Sequence, residues 1–202
     1  LGVSLVNGAP FLMVCGLGPK KQSLASVNRG GGNTAPPTQQ YDTGELAPSG
    51  WVTYRGDGSQ RTDVPGPVQG WDPSGYNGNG KGYWWFPLPN ITGTVDRVDL
   101  YLYSEHWYYN SGGTAIINIV PNNLGGRGFT KARGDWHVGG FPKPGGKWVT
   151  LPSDWFALFH NNGAYGHARA NAISVGPGVG TDLNYYGRFN GNAARLRIWY
   201  TQ

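Results

Sequence analysis

A single cysteine, Cys15, in 202 residues rules out an intrachain disulfide, and with it the cross-linked framework of small secreted modules. Its place in an apolar run predicts a buried, inert thiol, because such surroundings disfavour a reactive thiolate. Charged residues are only 13% of the chain, and the 16 basic ones are scattered apart from Lys20-Lys21, so the net charge of +5 does not gather into a nucleic-acid surface. Weak attraction to an acidic surface is compatible with that charge. No apolar run approaches the roughly 18 to 20 residues of a membrane-spanning helix, and Leu1 to Leu17 lacks a basic leader and a small-residue cleavage site. The sequence predicts no membrane insertion. The missing initiator Met points to a fragment of a longer chain or to a processed start.

Catalytic equipment is sparse too. The histidines are His106, His137, His160 and His167, and none has a partner at a metal-binding spacing. No GxSxG elbow is present. Glu45 and Glu105 are the only glutamates and the aspartates sit mostly in turn contexts. No pair can be named for the roughly 5 to 9.5 Å carboxylate separation of glycoside hydrolysis. These absences predict a protein that is not an enzyme and uses no cofactor.

What the chain has in quantity is Gly (35) and Pro (15), about a quarter of its residues, without a collagen-like triplet. Nine Trp, twelve Tyr and seven Phe are too many aromatics for a disordered chain. The combination predicts an all-β domain with turn-rich connections.

The strongest strand signal lies between Thr94 and Val120. Val98, Leu100 and Leu102 alternate with Asp99, Tyr101 and Tyr103, the period of a strand with one buried face. Asn110-Ser111-Gly112-Gly113 then offers a reversal, and Thr114 to Val120 a second strand, which together predict a central hairpin. If the register persists, His106 faces inward while Glu105, Trp107 and Tyr109 face outward; a bulge near the hairpin end would reverse this. Further strands are expected at Trp51 to Tyr54, Tyr83 to Phe86, Trp148 to Leu151, Asn171 to Val175 and Ala194 to Thr201. In the last, Leu196, Ile198 and Tyr200 share one face, and Arg195, Arg197 and Trp199 the other. It can lie beside the central hairpin. Pro152 to His160 reads as a short helix with Ser153 or Asp154 as cap, stopped by Asn161-Asn162-Gly163.

Strand after strand with Gly-rich turns and no βαβ alternation argues for an antiparallel β-sandwich, jelly-roll-like. The organisation reads as residues 1–27, an N-terminal β segment with a possible small hairpin; residues 28–50, a Gly/Pro-rich linker; and residues 51–202, the head. The apolar runs Val3 to Val6 and Phe11 to Leu17 have too little chain around them to be hidden, which predicts oligomerisation there. Pro65 to Gly82 and Asn122 to Gly128 are loops. Asp and Asn oxygens in the first do not follow EF-hand spacing, so it reads as a plain loop.

The stretch TDLNYYGRFNGNAARLRIWYTQ, preceded by WVTLPSDWFALFHNNGAYGHARANAISVGPG, resembles the C-terminal region of minor tail proteins from phages of mycobacteria and related actinobacteria. The resemblance covers Trp148 to Gln202 and extends more weakly back to Trp51. It implies a tail-tip component of the virion, acting outside the host cell, in a homo-oligomer with a trimer favoured. Other tail proteins and a host cell-surface glycan or glycolipid would be its partners.

Sugar rings present apolar C–H faces that stack on Trp and Tyr, and hydroxyls that need polar side chains nearby. Two clusters have that make-up. One is the run Glu105, His106, Trp107, Tyr108 and Tyr109 with Asn110, of which Glu105, Trp107, Tyr109 and Asn110 are the candidate ligand contacts; the other is Trp71 to Asn79, with Trp71 and Tyr76 as its candidates, together with Tyr185, Tyr186 and Arg188. Turn chemistry accounts for the two Arg-Gly-Asp tripeptides, at Arg55 and Arg133. The alternative readings are a carbohydrate-binding module of a secreted enzyme, expected to be monomeric, and a glycan depolymerase, expected to release product.

Overall fold

The computed structural model describes residues 2–6, 9–13, 38–74, 78–121 and 130–202. Cys15, residues 28–37 of the expected linker, Tyr76 and the loop from Asn122 to Gly128 lie outside them. The chain divides into two units, Leu1–Pro36 and Pro37–Gln202. In the first, β1 (Gly2–Val6) pairs antiparallel with β2 (Ala9–Met13), from Gly2 opposite Met13 to Val6 opposite Ala9. This pairing is the small hairpin that the two apolar runs suggest.

The second unit is an all-β, antiparallel sandwich. Its strands are β3 (Gln40–Asp42), β4 (Gly50–Tyr54), β5 (Gln60–Arg61), β6 (Val68–Trp71), β7 (Asn79–Trp85), β8 (Thr94–Trp107), β9 (Gly113–Val120), β10 (Arg133–Phe141), β11 (Gly145–Thr150), β12 (Ala172–Val175), β13 (Gly187–Phe189) and β14 (Arg195–Thr201). One sheet is built on β8, which pairs with β11, β13 and β14, and β3 adds to β14. The other runs β10-β9-β12-β7-β4-β5. Strand β6 joins them by pairing with β13 and β7.

Two expectations are corrected by this topology. Strands β8 and β9 do not form a hairpin: no ladder joins them among the described residues, β8 pairing with β11, β13 and β14 and β9 with β10 and β12. Tyr108 to Gly112 is a corner that carries the chain across the sandwich. Gly112 makes the corner possible, with φ +91° and a position where a Cβ would fall 1.9 Å from the Phe141 carbonyl oxygen. The alternation had identified both strands correctly, but a turn signal does not say whether the next strand returns alongside or crosses over. The head also begins before residue 51. Gln40–Asp42 pairs with β14, and Leu46 bridges Leu196, so the latter part of the expected linker is sheet. Three residues of edge strand carry too little periodicity to be recognised.

The core lies between the sheets. Val98, Leu100 and Leu102 of β8 and Leu196 and Ile198 of β14 pack in one cluster with Ala115, Ile117 and Ile119 of β9 and Ile173 and Val175 of β12. Burying each larger aliphatic side chain contributes about 1.5–3 kcal/mol. Strand β14 alternates as its sequence predicts, and β14 lies beside β8. A smaller cluster of Val52, Tyr83, Val120 and Ala172 covers the opposite face of β4, β7, β9 and β12. Ser153–Phe159 is a 3₁₀ helix that buries Trp155, Leu158 and Phe159. Neither Ser153 nor Asp154 caps it; Pro152 occupies the cap position, and its carbonyl accepts the Trp155 amide at 2.9 Å.

Candidate functional site

The end of β8 decides which side chains reach solvent. Val98, Leu100, Leu102 and Ser104 are buried at every second position, with Asp99 covered on the opposite face. The ladder to β13 then pairs Phe189 with Ser104 but Arg188 with His106, which leaves Glu105 as an extra residue on β8. One inserted residue reverses the facing of everything beyond it. Trp107 accordingly turns into the core and is not a surface platform, contrary to the reading from unbroken alternation. It is fully buried, edge-on to Phe189 at 5.5 Å and tilted against Phe141 at 6.2 Å. His106, expected inside, is half-buried against Tyr186 at 5.9 Å. Tyr109 reaches solvent as expected, and so does Tyr108, at 43% and 44% exposure with rings 5.1 Å apart and nearly perpendicular.

The β8–β13 ladder also brings Tyr186 and Arg188 of the second cluster beside the first. Arg188 stands opposite His106, and its Nε lies 3.6 Å from Glu105 Oε2, an ion pair too long for a hydrogen bond. Asn190 Nδ2 donates to Glu105 Oε1 at 2.9 Å. The Tyr108 amide donates to the Tyr186 carbonyl at 3.2 Å, tying the corner to the segment before β13. Lys143, in the turn between β10 and β11, donates to Asn110 Oδ1 at 3.1 Å and to the Tyr108 carbonyl at 3.4 Å. Tyr185 is half-buried, its ring 5.3 Å from His137 and its hydroxyl 3.4 Å from His137 Nδ1. Trp71 is half-buried at the end of β6.

Beneath this surface lies a polar hub that the sequence did not announce. Asp72 is buried and accepts hydrogen bonds from Arg61 Nη1 at 2.7 Å, the Tyr186 hydroxyl at 3.0 Å and the Ser74 amide at 2.9 Å. Burial by itself would raise the Asp72 carboxyl, yet the Ser74 amide, the Arg61 guanidinium and the Tyr186 hydroxyl hold it below the ordinary carboxylate value. Burial and the bond to Asp72 push the Tyr186 phenol up to about 12. Burial, with Lys143 and Arg188 nearby, lowers the His106 imidazole, while Asp72 opposes the change. Buried Gln69 fixes the neighbouring backbone: its Nε2 donates to the Tyr185 and Thr114 carbonyls at 2.9 and 2.7 Å, and its Oε1 accepts the Ile116 amide at 3.0 Å. Tyr108 belonged to the first aromatic run; Gln69, Lys143 and His137 had no sequence signal of their own, since their roles come from strands distant in the chain.

The surface thus offers two exposed phenol rings, donors at Lys143 and Arg188, and acceptors at Glu105 and Asn110. That set suits a hydroxyl-bearing ligand with an apolar face. Among the described residues no three His, Cys, Asp or Glu side chains come together as a metal site would require.

No family model and no curated protein matches the sequence. Among solved structures the chain is similar to the K1 cleaved adhesin domain of Lys-gingipain from Porphyromonas gingivalis W83, at 14% identity over 83% of this chain and 98% of that one, with a TM-score of 0.31.

Proposed function

We propose that the head is a non-enzymatic binding module that attaches its carrier to a host cell-surface glycan or glycolipid through the corner at Tyr108 to Asn110 and the adjoining Arg188. The observation that carries this reading is the pair of exposed, mutually perpendicular rings of Tyr108 and Tyr109, flanked by polar groups already held in place. Exposed aromatics fixed beside donors and acceptors stack on sugar faces at little conformational cost. The resemblance of Trp148 to Gln202 to actinobacterial phage minor tail proteins supports placing the carrier at a virion tail tip. The proposed assembly is a homotrimer beside other tail proteins.

The test uses the fluorescently labelled full chain and mycobacterial cells, untreated or mildly oxidised with periodate, which cleaves vicinal diols. Saturable binding that periodate removes and protease treatment of the cells leaves intact is the expected result. Binding that survives periodate and is lost after protease would overturn the glycan reading. Light scattering distinguishes the trimer from the monomer of a carbohydrate module, and release of soluble sugar from envelope polysaccharide would show a depolymerase.

A further inference from the structure

The outward face of β8, β11 and β14 carries a second constellation, on the face of the sheet where the corner lies at its end. Register sets Trp148 beside Tyr101 and Tyr101 beside Arg195, Thr150 beside Asp99 and Asp99 beside Arg197, and Arg97 beside Trp199. The alternation that sends Val98, Leu100, Leu196 and Ile198 into the core turns these residues away from it. Trp148 is 41% exposed, its ring tilted against Tyr101 at 5.3 Å. Both guanidiniums stand over the Trp199 ring, Arg97 at 5.0 Å and Arg197 at 4.7 Å from its centroid. Each is held by a carboxylate: Arg97 Nη2 lies 2.7 Å from Asp99 Oδ2, and Arg197 Nη2 lies 2.5 Å from Asp42 Oδ2. Thr150 Oγ1 donates to Asp99 Oδ1 at 2.7 Å. Trp148, Trp199, Arg97, Asp99, Arg197 and Glu45 together line a recess of about 320 Å³.

We propose that this recess is a subsite for a neutral pyranose ring. The charges inside it are already matched, Arg97 to Asp99 and Arg197 to Asp42, so neither guanidinium is left uncompensated for a phosphate or sulfate. The remaining charge is that of Glu45, which is exposed and accepts no hydrogen bond among the described residues. A carboxylate in that position repels anions and accepts hydroxyl donors. The half-exposed indole of Trp148 supplies the flat apolar surface that the C–H face of a pyranose covers. Arg97, held by buried Asp99 and 55% exposed, presents its guanidinium donors without the entropic cost of ordering a long side chain on binding, and Glu45 supplies the acceptor. The subsite stands independently of the corner. If both bind, one head meets a polysaccharide at two points, and avidity multiplies two weak contacts.

The test is an NMR titration of the full chain with its tryptophan indoles ¹⁵N-labelled and assigned by single Trp→Phe variants. The probes are methyl α-glucopyranoside, methyl α-mannopyranoside and methyl β-galactopyranoside, each taken to tens of millimolar, the range in which single sugar rings bind weakly. At least one is expected to shift the Trp148 and Trp199 indole signals saturably. Trp148→Ala should abolish the shift at Trp199, Trp148→Phe should retain it within a few-fold, and Glu45→Gln should weaken it several-fold. Because Trp148 and Glu45 are exposed, unchanged thermal midpoints will show that these variants are folded. Tyr108→Ala with Tyr109→Ala should leave the titration as it is. Three results would overturn the subsite: no glycoside moves these signals, Trp148→Ala leaves the Trp199 titration intact, or inorganic phosphate moves them as the glycosides were expected to.

Discussion

A Cβ at Gly187 would stand 2.5 Å from Trp107 Cζ3, so the indole fills the space that any other side chain at that position would need. Gly113 meets the same ring from another strand, where a Cβ would lie 2.1 Å from Cε3. Gly187 sits between Tyr186 and Arg188 in the chain, so the seating of one buried ring governs where two surface groups stand. Gly187→Ala should overpack this contact and destabilise the head by about 1–3 kcal/mol. It should weaken the proposed glycan contact in parallel, because β13 must shift. Trp107→Ala should cost about 3–5 kcal/mol, as expected for a large buried aromatic. Urea denaturation of the two variants beside wild type checks both values.

Arg61 and Asp72 form an ion pair 2.7 Å long with side chains only 8% and 3% exposed. Arg61 also pairs with Asp63 at 3.2 Å, so Asp72 is the more dependent partner: removing Arg61 leaves its buried carboxylate without an opposite charge, and such losses typically cost about 3–5 kcal/mol. Arg61→Met should therefore be severely destabilising, and adding Asp72→Asn should recover much of the loss by removing the stranded carboxylate. A double-mutant cycle by chemical denaturation measures the coupling; additive effects would show that the pair is not a unit.

Acid and alkali should act on this hub from opposite sides. The Asp72 carboxyl, which burial would raise, is held low by the Ser74 amide, Arg61 and Tyr186, so the folded state binds its proton less readily than the unfolded chain does. Its stabilisation is complete above the unfolded carboxylate value of about 4 and is lost as pH falls through the folded one. The Tyr186 phenol moves from 10.0 up to about 12, by burial and its bond to Asp72, and Tyr83 does the same by burial and the nearby Tyr54. Their folded forms retain protons that unfolded tyrosine would give up, so stability holds below 10 and falls as pH rises from 10 towards 12. Tyr186→Phe should flatten part of the alkaline decline in thermal midpoint while leaving Tyr83's share in place.

The all-β class and the pairing of the last strand with the first strong one were legible because period-two alternation survives in Val98 to Leu102 and Leu196 to Tyr200. The corner was not. Asn110-Ser111-Gly112-Gly113 satisfies the backbone demands of a tight hairpin and of a crossing between sheets equally well, and only the strands flanking β9 decide between them. The facing of Trp107 was lost for a related reason: the bulge at Glu105 is set by β13, about eighty residues further on, and leaves no mark in the local pattern. The candidate surface was half legible. Both aromatic clusters could be named, but not that one ladder brings Tyr186 and Arg188 to the end of β8, nor that Lys143 and Gln69 fix the backbone there. Strand β10 escaped notice because Arg133 to Phe141 contains three glycines and carries Trp136 and Val138 inward on a weakly alternating run.

The sharpest test of the corner separates its exposed rings from the buried one beside them. Tyr108 and Tyr109 contribute little to the core, so replacing both by Ala should move the thermal midpoint by no more than a few degrees. If they carry a sugar face, each ring contributes on the order of 0.5–1.5 kcal/mol by analogy with aromatic pairs. The double variant should then bind periodate-sensitive cell-surface sites several-fold to tens-fold more weakly. Tyr109→Phe keeps the ring and drops only the hydroxyl, so it should retain most of the affinity. Lys143→Ala leaves both rings in place but removes the bonds to Asn110 and the Tyr108 carbonyl, and a smaller loss of affinity is expected as the corner loosens. Cell-binding isotherms for the three variants, read beside their melting curves, decide the matter. Full binding by the double variant would move the contact away from the corner, and a loss matched by a large fall in stability would make these rings part of a packed interface.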